Sequence, residues 1–206
     1  MSVTIDLHRK TFCMFGLRGT GKSTNANFIC NSFGRKALVY DTLDEVPINA
    51  KYDSYLPKVR NSSPELETVI RKVKNSHYEL FLIDEANRYC PSKPSPLPQE
   101  VADINDQCRH YNLALGYIAR RPCQLNQDLT ELADYLIIYH LKGKADIQYL
   151  NNLSQGLGKA VLILKKYQFI LVMPDRSFKL MHEIEPDKLW LKRADAHIKG
   201  VSSHDR

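Results

Sequence analysis

The chain has 206 residues and a mass of 23.7 kDa, a size at which one hydrophobic core is expected and a second full domain is not. Hydrophobic residues make up 43% and charged residues 25%, which excludes an intrinsically disordered or collagen-like chain. The net charge of +6 favours an anionic partner.

Short apolar runs alternate with helical patterns along the chain. Apolar runs of four to seven residues predict buried strands, whereas apolar residues spaced three and four apart predict helices. The predicted elements are a strand at 10–15, a helix at 22–33, a strand at 36–40, a helix at 64–75, a strand at 78–83, a helix at 100–111, strands at 113–119 and 135–141, a short helix at 147–153, and a hairpin of 168–173 with 177–183.

Strands that alternate with helices predict an α/β fold with a mainly parallel sheet and helices on both faces. The hairpin would add antiparallel strands at one edge of that sheet. An α+β fold with the same elements in another order is the alternative. The segment 91–98 contains four prolines, so we expect it to form a loop.

A phosphate-binding loop follows the first predicted strand. Residues 16–23, Gly-Leu-Arg-Gly-Thr-Gly-Lys-Ser, fit the pattern G-x-x-x-x-G-K-[ST] and precede a predicted helix. Glycines let successive backbone N–H groups converge on phosphate oxygens, and the helix directs its positive end to the same point. A glycine-rich turn without a ligand is the alternative. The predicted cofactors are ATP and Mg²⁺, and the predicted binding residues are Gly16, Gly19, Thr20, Gly21, Lys22, Ser23 and Thr24.

Two carboxylates end the third predicted strand. In a doubly wound sheet this strand end lies near the phosphate loop, because ligands bind at the carboxyl ends of the strands. Asp84 is predicted to bind Mg²⁺ together with the hydroxyl of Ser23, and Glu85 is predicted to orient the attacking water. A water-orienting acid beside the metal ligand favours a hydrolysing motor over a small-molecule kinase. The alternative for both acids is an exposed strand end.

Three arginines are candidates for contact with the terminal phosphate. Arg120 and Arg121 follow the strand at 113–119, and Arg120 would reach the γ-phosphate if that strand lay beside the first one. Arg109 lies late in the preceding helix and could act on the nucleotide of a neighbouring subunit. A solvated or DNA-facing charge is the alternative for each of them.

The order of these motifs resembles the FtsK/HerA superfamily of DNA-pumping ATPases. Its members share a glycine-rich loop, a hydrophobic strand that ends in Asp-Glu, and a later strand that ends in a Thr-Gln-Arg-Pro-like motif. Here the last motif reads Ala119-Arg120-Arg121-Pro122, with arginine where the family usually has glutamine. The small size is similar to that of the genome-packaging ATPases of tailless double-stranded DNA viruses with an internal membrane.

The resemblance implies a P-loop ATPase of the additional-strand class that packages a viral genome into a preformed capsid. It implies Lys22 as part of the nucleotide loop and Glu85 as the catalytic acid. The candidate catalytic residues are therefore Glu85 and Lys22, with Arg120 and Arg109 added from the residues alone. The implied partners are double-stranded DNA, further copies of the chain in a ring of six, and capsid or internal-membrane vertex proteins. A filamentous-phage assembly ATPase, a nucleotide or small-molecule kinase and a non-hydrolysing assembly factor are the alternatives.

Two lysine- and arginine-rich stretches are candidates for contact with the DNA backbone, a contact that does not depend on base sequence. One lies within 142–166 and the other begins at Lys188, and we also consider Arg88 and Lys93 as a pore loop. No apolar run reaches the roughly 18 residues of a membrane span, and the first ten residues do not resemble a signal peptide. We therefore expect one domain over 1–206, with 187–206 partly mobile, in the host cytoplasm and the virion.

Overall fold

The computed structural model describes residues 5–185. The predicted terminal segment 187–206 and the basic residues from Lys188 onward lie outside them. Strands in the described residues are β1 (Thr11–Phe15), β2 (Ala37–Tyr40), β3 (Asp53–Tyr55), β4 (Leu80–Ile83), β5 (Ala114–Ala119), β6 (Tyr135–Tyr139), β7 (Phe169–Val172) and β8 (Phe178–Met181). Helices are α1 (Lys22–Phe33), α2 (Ser63–Val73), α3 (Gln99–Gln107), α4 (Gln127–Glu131), α5 (Lys144–Leu153) and α6 (Leu157–Leu162).

The strands form one sheet in the order β3-β2-β4-β5-β1-β6-β7-β8. The strands β1 to β6 pair in parallel, and β7 and β8 add antiparallel pairs at one edge. This confirms the predicted α/β fold with its C-terminal hairpin. The additional strand of the predicted class is β5, which lies between β1 and β4.

The central strands read as continuous apolar runs because both faces of the sheet are covered. Every residue of β1, β2, β4, β5, β6 and β7 is buried. On one face, Ile29 of α1 belongs to the same buried cluster as Met14. On the other face, α2 to α6 contribute to a larger cluster that includes Leu66, Ile104 and Leu150.

The structure adds three short elements that the pattern did not predict, β3, α4 and α6. The edge strand β3 reads Asp-Ser-Tyr and is only partly buried, so it lacks an apolar signal. The helix α6 falls inside an apolar stretch, and it starts after Gly156 in the left-handed conformation. No helix of the described residues combines the length and the hydropathy of a membrane span.

Gly116 of β5 lies in close contact with side chains of the two neighbouring strands. A methyl group there would lie 2.3 Å from Leu82 Cδ1 and 2.4 Å from Phe12 Cζ, so these two buried side chains would have to shift within a packed core. We expect Gly116→Ala to lower the free energy of unfolding by about 1–3 kcal/mol, the usual cost of overpacking a core. Urea denaturation followed by circular dichroism measures this change.

The control for this experiment is Lys72→Ala on the exposed face of α2. We expect this substitution to change the free energy of unfolding by less than about 0.5 kcal/mol. Equal urea midpoints for Gly116→Ala and the parent protein would contradict the packing argument.

Candidate active site

The predicted site residues come together at the edge where the parallel strands end. The glycine-rich loop follows β1, Asp84 and Glu85 follow β4, and Arg120 follows β5. Asp84, Glu85 and Arg120 line one cleft of about 730 Å³, together with Gly19, Gly21, Lys22, Ser23 and Thr24. The predicted residues Gly16 and Thr20 belong to the loop but do not line this cleft. The structure therefore brings the loop, the acid pair and one of the three arginines to the same place.

The loop is shaped by two of its glycines. A methyl group on Gly16 would lie 2.6 Å from Tyr139 Cβ, so only glycine allows the chain to pass this close to the end of β6. Gly21 precedes α1 with φ 103°, a left-handed conformation that glycine adopts without strain. The first turn of α1 carries no acidic residue, so its positive end is not neutralised within the helix.

Lys22 lies over this loop. Its Nζ donates hydrogen bonds to the backbone oxygens of Gly16 at 2.5 Å and Leu17 at 3.0 Å. Thr20 also donates to the Leu17 oxygen, at 2.8 Å. Burial lowers the pKa of Lys22, while the carboxylates of Asp84 and Glu85 act in the opposite direction. An ammonium group in this position can reach a polyphosphate held by the loop.

Asp84 is a mostly buried acid at the end of β4. Burial, and next the charge of Glu85, raise its pKa to about 7. Within residues 5–185 it forms no salt bridge, so its negative charge is not paired with a cationic side chain. The hydroxyl of Ser23 lines the same cleft. A carboxylate and a hydroxyl are oxygen ligands that suit Mg²⁺, so these residues fit the predicted metal.

The turn that carries the acid pair is held by hydrogen bonds from two other elements. Thr42, just after β2, donates from Oγ1 to the backbone oxygen of Asp84 at 2.8 Å. The same hydroxyl lies 3.1 Å from the hydroxyl of Tyr89. The backbone N–H of Asp84 donates to the oxygen of Tyr40 at 3.1 Å. Contacts with Tyr40, Thr42 and Tyr89 thus fix the position of the acid pair.

Glu85 adopts an unusual backbone conformation, with φ 50° and ψ 41°. A non-glycine residue in the left-handed region is strained, and such strain clusters at functional sites. Its side chain is 12% exposed and accepts a hydrogen bond from Arg120 Nε at 2.9 Å, while Arg88 Nε lies 3.9 Å from its other oxygen. The predicted water-orienting acid is therefore held by the arginine that follows β5.

The other two candidate arginines lie outside this cleft. Arg121 Nε donates to Asp146 at 2.8 Å, a buried acid in the first turn of α5. Arg109 Nη2 lies 3.6 Å from Asp134, at the opposite edge of the sheet, where the strands begin. A contact of Arg109 with the nucleotide of a neighbouring subunit stays a prediction.

Nine residues that the sequence analysis did not select also line the cleft, among them Arg18, Glu45, Tyr139 and Tyr167. Arg18 occupies a variable position of the loop motif, and Tyr139 lies within the strand predicted at 135–141, so both had a signal in the sequence. Glu45 and Tyr167 lie in loops whose placement depends on the folded chain. Lys93, considered above for a pore loop, is paired with Asp128 at 2.7 Å.

Comparison with known proteins gives a match to one family model and several similar solved structures. Residues 12–109 match the model of the ATPase family associated with various cellular activities (AAA). No curated protein matches the sequence significantly.

Two viral proteins have a fold similar to that of this chain over most of its length. The genome-packaging NTPase of Sulfolobus turreted icosahedral virus 2, in complex with ATP-gammaS, has a TM-score of 0.73 at 14% identity and covers 86% of this chain and 98% of its own. The DNA-packaging ATPase of Sulfolobus turreted icosahedral virus has a TM-score of 0.74 at 15% identity, with coverages of 87% and 100%. The N-terminal domain of the zonular occludens toxin of Neisseria meningitidis is more distant, with a TM-score of 0.51 at 14% identity and coverages of 92% and 91%.

The family match over residues 12–109, together with the P-loop on this fold, supports an ATP-hydrolysing enzyme. The fold resembles that of the two viral packaging enzymes, in agreement with the resemblance to the FtsK/HerA superfamily drawn from the sequence.

We expect Arg120→Ala to lower kcat because Glu85 would lose the partner that fixes its carboxylate. A misplacement of about 1 Å at a reacting group costs roughly 100-fold in rate. Steady-state phosphate release over a range of ATP concentrations separates this loss from a change in KM.

Arg88→Ala serves as the comparison, since its Nε lies 3.9 Å from Glu85 and should matter less. Equal kcat values for Arg120→Ala and the parent enzyme would show that the hydrogen bond does not position Glu85.

Proposed function

We propose that the chain is an ATP-driven double-stranded DNA translocase that packages a viral genome into a preformed capsid. The observation that carries this proposal is the Asp84–Glu85 turn, which shares a cleft with the phosphate loop on the fold of two viral packaging ATPases. A water-orienting acid at the terminal phosphate is what a motor requires, since its work comes from hydrolysis.

The phosphates are bound by the loop amides and by Lys22, which would exchange its two carbonyl partners for phosphate oxygens. Ser23 and Asp84 hold Mg²⁺, which neutralises charge on the β- and γ-phosphates when bound. Gly16, Gly19, Thr20, Gly21 and Thr24 complete the phosphate site.

Glu85 orients water for attack on the γ-phosphate. Arg120, which donates to Glu85, stands at the same end of the cleft and keeps that carboxylate in place. Positioning and charge stabilisation account for most of the catalysis of phosphoryl transfer, so both residues act without covalent chemistry. Arg109 lies far from this cleft and is the candidate for contact across a subunit boundary.

A group of exposed lysines supports DNA as the anionic partner. Five lysines lie between 142 and 166, all are exposed, and none forms a salt bridge within residues 5–185. Lys142 and Lys144 follow the end of β6, and Lys165 and Lys166 precede β7, which pairs antiparallel with β6. These four lysines therefore lie at one edge of the sheet, where they can contact a DNA backbone. The group consists of Lys142, Lys144, Lys159, Lys165 and Lys166, and we call it the lysine group.

A translocase encircles its DNA, so we propose a ring of identical subunits, six by the resemblance, bound to capsid or internal-membrane vertex proteins. The host cytoplasm and the virion are the corresponding locations. A filamentous-phage type of assembly ATPase is the second candidate, favoured by the similarity to the zonular occludens toxin domain. A DNA-independent ATPase would favour that candidate over packaging.

Two substitutions test the assignment of the site. We expect Lys22→Ala to abolish binding of ATP, because it removes the charge that reaches the phosphates. We expect Glu85→Gln to retain ATP binding and to lose turnover by roughly 100-fold or more, because an amide cannot accept the proton of the water. Calorimetric titration with ATPγS measures binding of the nucleotide, and phosphate-release assays measure turnover.

Full turnover in Glu85→Gln would exclude Glu85 as the water-orienting acid. A phosphorylated acceptor in place of inorganic phosphate would indicate a kinase, and function that survives Glu85→Gln would indicate a non-hydrolysing assembly factor.

Double-stranded DNA should stimulate phosphate release, and the stimulation should weaken as salt is added. Replacing both Lys142 and Lys144 with Ala should raise the DNA concentration needed for half-stimulation. It should also reduce the slope of log affinity against log salt by about 1.8, or 0.9 for each lost phosphate contact. Lys72→Ala on α2 is the matched control, since it removes an exposed lysine outside the lysine group. DNA stimulation that is absent, or independent of salt, would contradict a translocase.

A further inference from the structure

The cleft extends beyond the phosphate loop to a second end that the mechanism above does not use. Strand order places the acid pair that follows β4 and the Arg120 that follows β5 on one side of β1, and β6, β7 and β8 on the other. Tyr139, Tyr167 and the segment 183–185 line the cleft on this second side. A molecule bound by the loop can therefore extend in two directions that differ in chemistry.

The direction of the nucleotide follows from the proposed function, on which this inference rests. The terminal phosphate must lie beside Glu85, since this residue orients the water. The remaining phosphates then follow the loop and the first turn of α1, and the nucleoside leaves the loop on the side of β6 and β7.

Tyr167 is placed against the last glycine of the loop. A methyl group on Gly21 would lie 3.4 Å from a ring carbon of Tyr167 and 3.4 Å from one of Tyr139. The two rings differ in accessibility, because Tyr139 is buried and Tyr167 is 41% exposed. The hydroxyl of Tyr139 is already bonded to Asn25 at 2.9 Å, so Tyr139 acts as part of the wall. Tyr167 is the aromatic side chain that a ligand can reach.

The turn that carries Tyr167 is fixed in place. Gln168 N–H donates to the backbone oxygen of Lys165 at 3.1 Å, and its side-chain oxygen accepts from Lys165 N–H at 3.0 Å. Tyr167 has φ 68°, a left-handed conformation that is uncommon for an aromatic residue. Lys166 Nζ lies 4.8 Å from the centre of the ring. A strained residue whose large ring stays 41% exposed at the wall of a cleft points to a binding role.

The second end of the cleft suits a nucleoside and not a phosphate. Glu183 and Glu185 are exposed acids there, and neither forms a salt bridge within the part of the chain that the structure describes. Carboxylates repel phosphate but accept hydrogen bonds from ribose hydroxyls, as acidic residues do in dinucleotide-binding folds. An aromatic ring gives a flat base a surface to stack on.

We propose that Tyr167 is the base-stacking residue of the nucleotide site and that Glu183 and Glu185 accept hydrogen bonds from the ribose. A purine nucleoside triphosphate is the ligand class, because the larger purine ring covers more of the tyrosine face. Stacking does not depend on the hydrogen-bonding groups of the base, so adenine and guanine both fit. The site therefore distinguishes purines from pyrimidines more strongly than one purine from the other.

Comparing two ligands separates the nucleoside end from the phosphate end. Tyr167→Asn removes the ring and tolerates the left-handed backbone, whereas Tyr167→Phe keeps the ring. Titration with ATPγS and with inorganic tripolyphosphate then gives two dissociation constants for each variant. We expect Tyr167→Asn to weaken ATPγS by roughly 10- to 100-fold and to leave tripolyphosphate unchanged. Tyr167→Phe should bind both ligands as the parent does.

Ile163→Ala is the control, since this exposed residue lies near the same turn without lining the cleft. It should bind both ligands normally. Unchanged ATPγS affinity in Tyr167→Asn would overturn the inference, and so would an equal loss for both ligands, because that result would show a structural effect on the loop.

The ribose contact has its own readout. The parent should bind ATPγS more tightly than its 2′-deoxy analogue, and Glu183→Gln combined with Glu185→Gln should reduce that difference. An unaltered difference would exclude the two acids as ribose partners. Other results would contradict the proposed function itself. In that case the parent would release no phosphate, or Lys22→Ala would bind ATPγS normally.

Discussion

The spacing between the phosphate loop and the acid pair is the constraint on which the site depends. Because β5 lies between β1 and β4, the ends of those two strands are separated by two strand spacings, about 10 Å. This distance leaves room for a terminal phosphate, a cation and a water between Lys22 and Glu85. If β4 paired directly with β1, the ends of the two strands would lie only about 5 Å apart, half of the present separation.

The site brings together charged side chains, and their charges are only partly paired within the protein. Lys22 bonds to backbone oxygens and Asp84 has no ionic partner within residues 5–185, although burial disfavours the charged form of both. The left-handed Glu85 adds backbone strain at the same place. Unpaired charge and strain lower stability, and they are retained where a charged ligand offsets them. A triphosphate with its cation supplies the opposite charges to both side chains.

Local signals explain which parts of this molecule were predictable. The P-loop, α1 and the buried strands have patterns within a few residues, and α1 was predicted with the bounds that it has. The edge strand β3 depends on its partner β2, and Tyr167 depends on a turn that folds back to Gly21. Neighbours distant in sequence determine such features, and no local pattern encodes them. The role of each site residue likewise stays a prediction, because geometry alone does not measure turnover.

Arg120 and Arg121 show how adjacent identical residues acquire different roles. Both follow β5, but Arg120 faces the cleft and bonds to Glu85, whereas Arg121 bonds to the buried Asp146. Asp146 lies in the first turn of α5, the helix that begins with Lys144 of the lysine group. One strand end is therefore bonded to the proposed catalytic acid and also to the helix that carries proposed DNA contacts. In a translocase these two sites must be linked mechanically, and the end of β5 provides a short and partly buried connection between them.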